Sequence, residues 1–175
     1  ALRASWKVAG DDLVVAHVGR LAPEKNLPLV LSTFEAIQRF APRARLLLVG
    51  DGPLRKKLAQ THPQHIFAGM RHGEDLATHY ASADLFLFPS MTETYGNVTL
   101  EALASGLPVV AYRMAAAAEL IRHGDNGMLA APETFAKDPA KAGELARQRA
   151  ELEKALTAAE EEWLTLQADY EALAG

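Results

Sequence analysis

Cysteine is absent from the 175 residues. Disulfides, thiolate nucleophiles and cysteine zinc sites are therefore excluded. No apolar run approaches the roughly 20 residues that a membrane-spanning helix needs. No signal peptide is read in it, and the chain opens on Ala1-Leu2-Arg3 without an initiator methionine, so a piece of a longer chain is expected. Excess charge of one sign is small, net −4, so bulk attraction to nucleic acid is not expected. The six histidines lack ligand spacing: His62 and His65 flank Pro63, His72 stands in a loop, and His17 falls in an apolar strand as a hydrogen-bonded core residue would. A metal site is therefore not expected. No Gly-Lys-Ser/Thr phosphate loop and no Gly-x-Ser-x-Gly elbow occur, which excludes a P-loop ATPase body and a serine hydrolase of that type.

What the chain does have is apolar residues, 49% of the total, enough for one packed domain. Short, nearly continuous apolar runs alternate with stretches of helical period. The runs are Leu13–Val18, Arg45–Val49, Ile66–Ala68, Leu85–Phe88, Val109–Tyr112 and Met128–Ala130. Helices are predicted over 28–40, 54–60, 75–82, 97–105 and 116–122. Asn26 and Asp75 are candidate N-caps, and Gly106 with Pro108 a stop signal. Strictly alternating elements of this kind predict an α/β fold, a Rossmann-like parallel sheet with helices on both faces. Ligands of such sheets sit beyond the carboxyl ends of the strands, where the loops at Gly19, Gly50, Gly69 and Glu93 would gather.

Composition changes near residue 132. The last 43 residues hold ten acids, five bases and eleven alanines. Ala142, Leu145, Leu152, Leu156, Ala159, Trp163, Leu166, Tyr170 and Leu173 follow a heptad seam interrupted by Arg149. The expected organisation is a domain over 1–131, a linker over 132–138 and a long amphipathic coiled-coil helix over 139–174, whose seam requires a partner helix.

Two carboxylates eight positions apart, Glu93 and Glu101, bracket a polar loop and a helix start. A carboxylate can accept two hydrogen bonds from a vicinal diol, and a helix start favours anions. Either glutamate alone would pass for a surface residue. Their place after a buried strand, at the ligand edge of the sheet, favours a site for a phosphate and several hydroxyls. Arg20 and Lys25 follow the first strand and offer a fork and a point charge to phosphate oxygens. Gly50-Asp51-Gly52-Pro53 reads as a tight turn that also lets backbone approach a ligand. It lacks the three-glycine dinucleotide spacing.

Four segments in this order resemble the donor-binding, C-terminal domain of the retaining GT-B glycosyltransferases of family 4. They are Val18-Gly19-Arg20-Leu21 with Glu24-Lys25-Asn26, Leu48-Val49-Gly50-Asp51-Gly52-Pro53, Ala83–Ser90, and the Glu93-x7-Glu101 pair. The resemblance covers about Leu13 to Ala131. It implies one half of a GT-B fold, a UDP- or GDP-sugar donor, and neither metal nor cofactor. It implies hexose transfer to an acceptor such as a lipid or cell-envelope glycan, in the cytoplasm or at a membrane's edge.

By the same resemblance Arg20 and Lys25 would stabilise the leaving diphosphate, with Glu93 as the third catalytic position against the donor sugar and Glu101 on the ribose diol. Gly19, Thr94 and the backbone N–H groups of Tyr95, Gly96 and Asn97 would complete the donor site. Met70 and Arg71 would border the base. Retention would come from same-face attack assisted by the leaving phosphate. An N-terminal acceptor-binding domain would be required, and this chain alone is expected to show little transfer. Arg113 and Ala115–Ala117 depart from the pattern, which often has Asp and Gly there. The tail is weakly similar to the C-terminal coiled coil of ABC-F type ATPases, and fits equally a helix docking on the other GT-B domain. Two competing functions are a non-catalytic nucleotide-sugar binding module and an interaction module acting through the tail.

Overall fold

The apolar runs become six short strands: β1 Val14–Val18, β2 Arg45–Val49, β3 Ile66–Gly69, β4 Leu85–Phe88, β5 Val109–Tyr112 and β6 Gly127–Ala130. A computed structural model describes residues 2–10, 12–90 and 97–131. Every strand pair is parallel and the order is β3-β2-β1-β4-β5-β6. The chain builds outward from β1 through β2 to β3, then crosses back to lay β4 on the other side of β1. That reversal between β1 and β4 opens a crevice at the carboxyl edge.

Both faces of the sheet are covered, which is why the strands read as unbroken apolar runs. Alternate residues divide between two cores. On one face Val15, Leu46, Leu48, Leu85, Leu87 and Val110 pack with Val30, Phe34 and Ile37 of α2 (Leu27–Gln38). Leu54 and Leu58 join this core beside and within α3 (Arg55–Thr61). On the other face Val14, Ala16, Leu47, Phe86, Phe88 and Val109 pack against three helices. These contribute Tyr80 from α4 (Gly73–Ala81), Ala102 from α5 (Asn97–Ala104) and Ala117 from α6 (Ala115–Leu120).

The predicted boundaries lie within two residues of the observed ones, and the differences at the helix caps have local causes. Asn26 precedes α2 as expected, but makes no side-chain cap. It adopts the left-handed conformation (φ 52°, ψ 42°), and its carbonyl accepts from the N–H groups of Leu29 and Val30 at 3.0 and 3.3 Å. Asparagine tolerates that conformation better than most residues. Asp75 is inside the first turn of α4 rather than at its cap, because the helix begins at Gly73 (φ 53°). Gly106 (φ 76°) ends α5 as predicted: its N–H donates to Leu103 O and that of Leu107 to Ala102 O, both at 3.0 Å. This is a Schellman closure.

The lead-in forms a short helix, α1 (Leu2–Ser5), that ties down the amino edge of the sheet. The Arg3 guanidinium donates to Asp84 Oδ2 at 2.8 Å and to the carbonyls of Ser82 and Asp12. Asp84 Oδ2 also accepts the Val14 N–H at 2.7 Å. Asp84, part of the Ala83–Ser90 segment, thus joins the starts of β1 and β4 and lies away from the ligand edge. The expected linker and heptad helix fall outside the described residues.

Candidate nucleotide-sugar site

Three loops leave the carboxyl ends of β1, β2 and β3 and are laced together by backbone hydrogen bonds. Gly19 N–H donates to Val49 O (3.0 Å), Leu21 N–H to Asp51 O (2.9 Å), Leu54 N–H to Leu21 O (2.9 Å) and Gly50 N–H to Gly69 O (2.8 Å). The glycines of Gly50-Asp51-Gly52 serve this lacing. A Cβ at Gly50 (φ 132°) would overlap Gly19 O, and one at Gly52 (φ 157°) would stand 2.5 Å from Leu21 O. The close backbone approach is therefore to the neighbouring loop.

The loops enclose a cavity of about 450 Å³. Gly19, Arg20, Gly50 and Asp51 line it from β1 and β2. Met70, Arg71 and His72 line it after β3, with Val98 and Glu101 from α5. Five expected site residues thus share one cavity: Gly19, Arg20, Met70, Arg71 and Glu101. Asn97 opens α5 and is exposed, and it is not part of the cavity wall. Lys25 also stands off the wall, with Nζ 5.9 Å from the centre of the Phe88 ring. Glu93, Thr94, Tyr95 and Gly96 fall outside the described residues.

The charges on the wall are held differently. The Arg20 side chain is two-thirds exposed, and Nη1 lies 3.6 Å from Glu24 Oε1 one turn on. Such a surface pair is weak and yields to a stronger anion. Arg71 is committed: Nε and Nη2 donate to Ala68 O at 2.9 and 2.7 Å, and Nη1 donates to Asp75 Oδ2 at 2.9 Å. Met70 beside it is more than half exposed, an apolar side chain at the cavity's rim. Glu101 Oε2 accepts a 3.0 Å hydrogen bond from the Tyr80 hydroxyl. Burial, then that hydrogen bond and the charge of Glu101, push the Tyr80 phenol far above its ordinary value. It therefore remains a donor at any working pH.

Sequence reasoning passed over Tyr80, and it weighed His72 only as a metal ligand although it lines the cavity. A tyrosine at an apolar helical position was the available signal for Tyr80, since a buried phenol needs a partner. His17 is the core histidine expected: fully buried, its Nδ1 lies 3.1 Å from Leu87 O and its ring stacks on Phe88. Among the described residues no three histidines or carboxylates gather as a metal ion would need.

Ala115, in the departing segment, has φ 47°, a left-handed conformation suited to glycine. The family model described as "Glycosyl transferases group 1" matches residues 12–147. The chain belongs to the group 1 glycosyltransferase family. A GDP-mannose-dependent alpha-mannosyltransferase of Corynebacterium glutamicum is 42% identical over 131 residues, 74% of this chain and 30% of that protein. A GDP-mannose-dependent alpha-(1-6)-phosphatidylinositol monomannoside mannosyltransferase of Mycobacterium tuberculosis is 30% identical over 178 residues, 94% of this chain and 46% of its own. The pneumococcal O-GlcNAc transferase GtfA, solved with UDP and GlcNAc, shares the fold. Its TM-score is 0.67 at 22% identity, covering 81% of this group 1 chain and 30% of that one. The chain thus spans less than half the length of these relatives.

Proposed function

We propose that this domain is the donor-binding half of a retaining glycosyltransferase that moves a hexose from a nucleoside-diphosphate sugar to an acceptor hydroxyl. The observation that carries the reading is the cavity in which the Gly19–Arg20 loop and the Glu101 carboxylate meet beyond the central strands. Arg20 supplies a fork for diphosphate oxygens, and Lys25 adds charge behind the same loop. Glu101 accepts the ribose diol, and Met70 with the Arg71 backbone borders the base. Glu93 and the backbone from Thr94 to Asn97 complete the sugar end.

During transfer the anomeric C–O bond to the diphosphate breaks and its electron pair leaves with the phosphate. The acceptor oxygen bonds the anomeric carbon on the same face, and its proton passes to the departing phosphate oxygen. Arg20 and Lys25 stabilise the charge that builds on that oxygen. The acceptor enters from an N-terminal domain beyond this chain, so this chain by itself turns over little. GDP-mannose is the first donor to test, because the mannosyltransferase relatives bear that name. The acceptor in this reading is a lipid or cell-envelope glycan met at the cytoplasmic face of a membrane, and the name of the phosphatidylinositol monomannoside mannosyltransferase relative supports the lipid form. The family match running to residue 147 supports the start of the tail as part of this domain.

Amide chemical-shift mapping with GDP-mannose tests the site. Gly19, Arg20, Met70, His72 and Val98 are expected to move, while Ala44 and Gln64 at the opposite edge stay. Movement confined to that opposite edge would contradict the assignment.

A further inference from the structure

Glu101 is exposed on α5, and a free glutamate there would sample several rotamers. The structure gives it one fixed point. Tyr80 comes from α4, is 1% exposed, and reaches through the core of that face to donate to Glu101 Oε2 at 3.0 Å. Its hydroxyl also lies 3.4 Å from Val98 O in the first turn of α5. The ring is packed among buried aromatic residues. It packs edge-on against Phe86 at 5.8 Å, Phe86 stacks on Phe88 at 5.6 Å, and Phe88 stacks on His17 at 5.7 Å. All three partners are buried residues of the two central strands β1 and β4.

We propose that Tyr80 is a positioning residue: its buried hydroxyl holds one oxygen of Glu101 so that the other faces the cavity and accepts a ribose diol. The inference rests on the donor-site reading above. A carboxylate has about four acceptor positions. The Tyr80 bond uses one on Oε2 and sets the plane of the group. Oε1 is left to accept from two adjacent hydroxyls without first losing rotamer freedom. The specificity gained is for a nucleotide carrying both ribose hydroxyls.

The test is calorimetric titration of the whole 175-residue chain with GDP and with 2′,3′-dideoxy-GDP. The wild type is expected to prefer GDP about tenfold or more, since a good charge-assisted pair is lost with the diol. Tyr80→Phe removes only the hydroxyl. It is expected to weaken GDP about three- to tenfold and leave dideoxy-GDP unchanged. The ratio of the two affinities is independent of the folded fraction, so a partly unfolded variant still reports. In a Glu101→Ala background Tyr80→Phe should change neither affinity. Equal weakening of both nucleotides by Tyr80→Phe, or an effect that persists without Glu101, would overturn the inference. A wild type that does not distinguish the two nucleotides would remove the ribose role of Glu101 and this inference with it. Normal discrimination that Tyr80→Phe leaves intact would remove the inference alone.

Discussion

At Gly50 the left-handed backbone and the carbonyl of Gly19 leave no room for a Cβ. Gly50→Ala is expected to cost about 2–4 kcal/mol, because strain and overlap with rigid backbone add. Urea denaturation measures it, and the variant should also lose nucleotide affinity, since the Gly19–Arg20 wall must shift. Ala115 presents the opposite case. Its φ of 47° is strained for a residue with a side chain. Ala115→Gly is expected to raise stability by about 0.5–1 kcal/mol, the left-handed penalty less the extra entropy of glycine in the unfolded chain. Thermal denaturation decides, and a lower midpoint would contradict the strain. At this scale the sequence was legible where residue type dictates conformation or charge. Gly106, Arg20 and Glu101 are examples. It was not legible for Tyr80, whose role depends on a carboxylate 21 residues away that only the packing of α4 on α5 brings near.

Among the elements, the strands were readable because all but the half-buried edge strand β3 are buried on both faces and so written in apolar residues without alternation. Helix starts were less readable, since Asn26 and Gly73 act through backbone conformation and Asp75 only resembles a cap. The short helix α1 ties into the sheet, because Arg3 bridges to Asp84, which also accepts from β1. Arg3→Ala is expected to destabilise the domain by about 1–2 kcal/mol through loss of a partly buried charge-assisted bond. Hydrogen exchange should show the starts of β1 and β4 opening first, and uniform exchange would contradict that role. Phe88, at the end of β4, carries the Lys25 ammonium over its ring. That contact links the central strand to the loop after β1, a pairing that periodicity alone does not reveal.

For the whole molecule, the shifted histidine and the proposed nucleotide site lie at opposite edges of one sheet. His65 precedes β3 at the amino edge, packed edge-on against Phe34 and stacked with His62. Burial, and then the charges of His62 and Arg45, lower its pKa from 6.5 to about 4. Above pH 6.5 the ring is neutral in both states and adds no slope. Between 6.5 and about 4 only the unfolded chain takes up the proton, so stability falls as pH falls. Below about 4 both states are protonated and the loss levels off. The expected total is about 1–3 kcal/mol. In His65→Phe this limb should flatten, and urea midpoints at pH 7, 6, 5 and 4 would show it. An unchanged acid limb in the variant would contradict the assignment.

The carboxyl edge carries the central claim, a nucleoside-diphosphate site in which Glu101 holds ribose. Calorimetric titration of GDP into the wild type, Glu101→Ala and Glu93→Ala tests it most directly. Saturable binding by the wild type, weakened about tenfold or more in Glu101→Ala and nearly unchanged in Glu93→Ala, is the predicted result, because free GDP has ribose but no donor sugar. Equal affinity of the wild type and Glu101→Ala, or loss confined to Glu93→Ala, would contradict it.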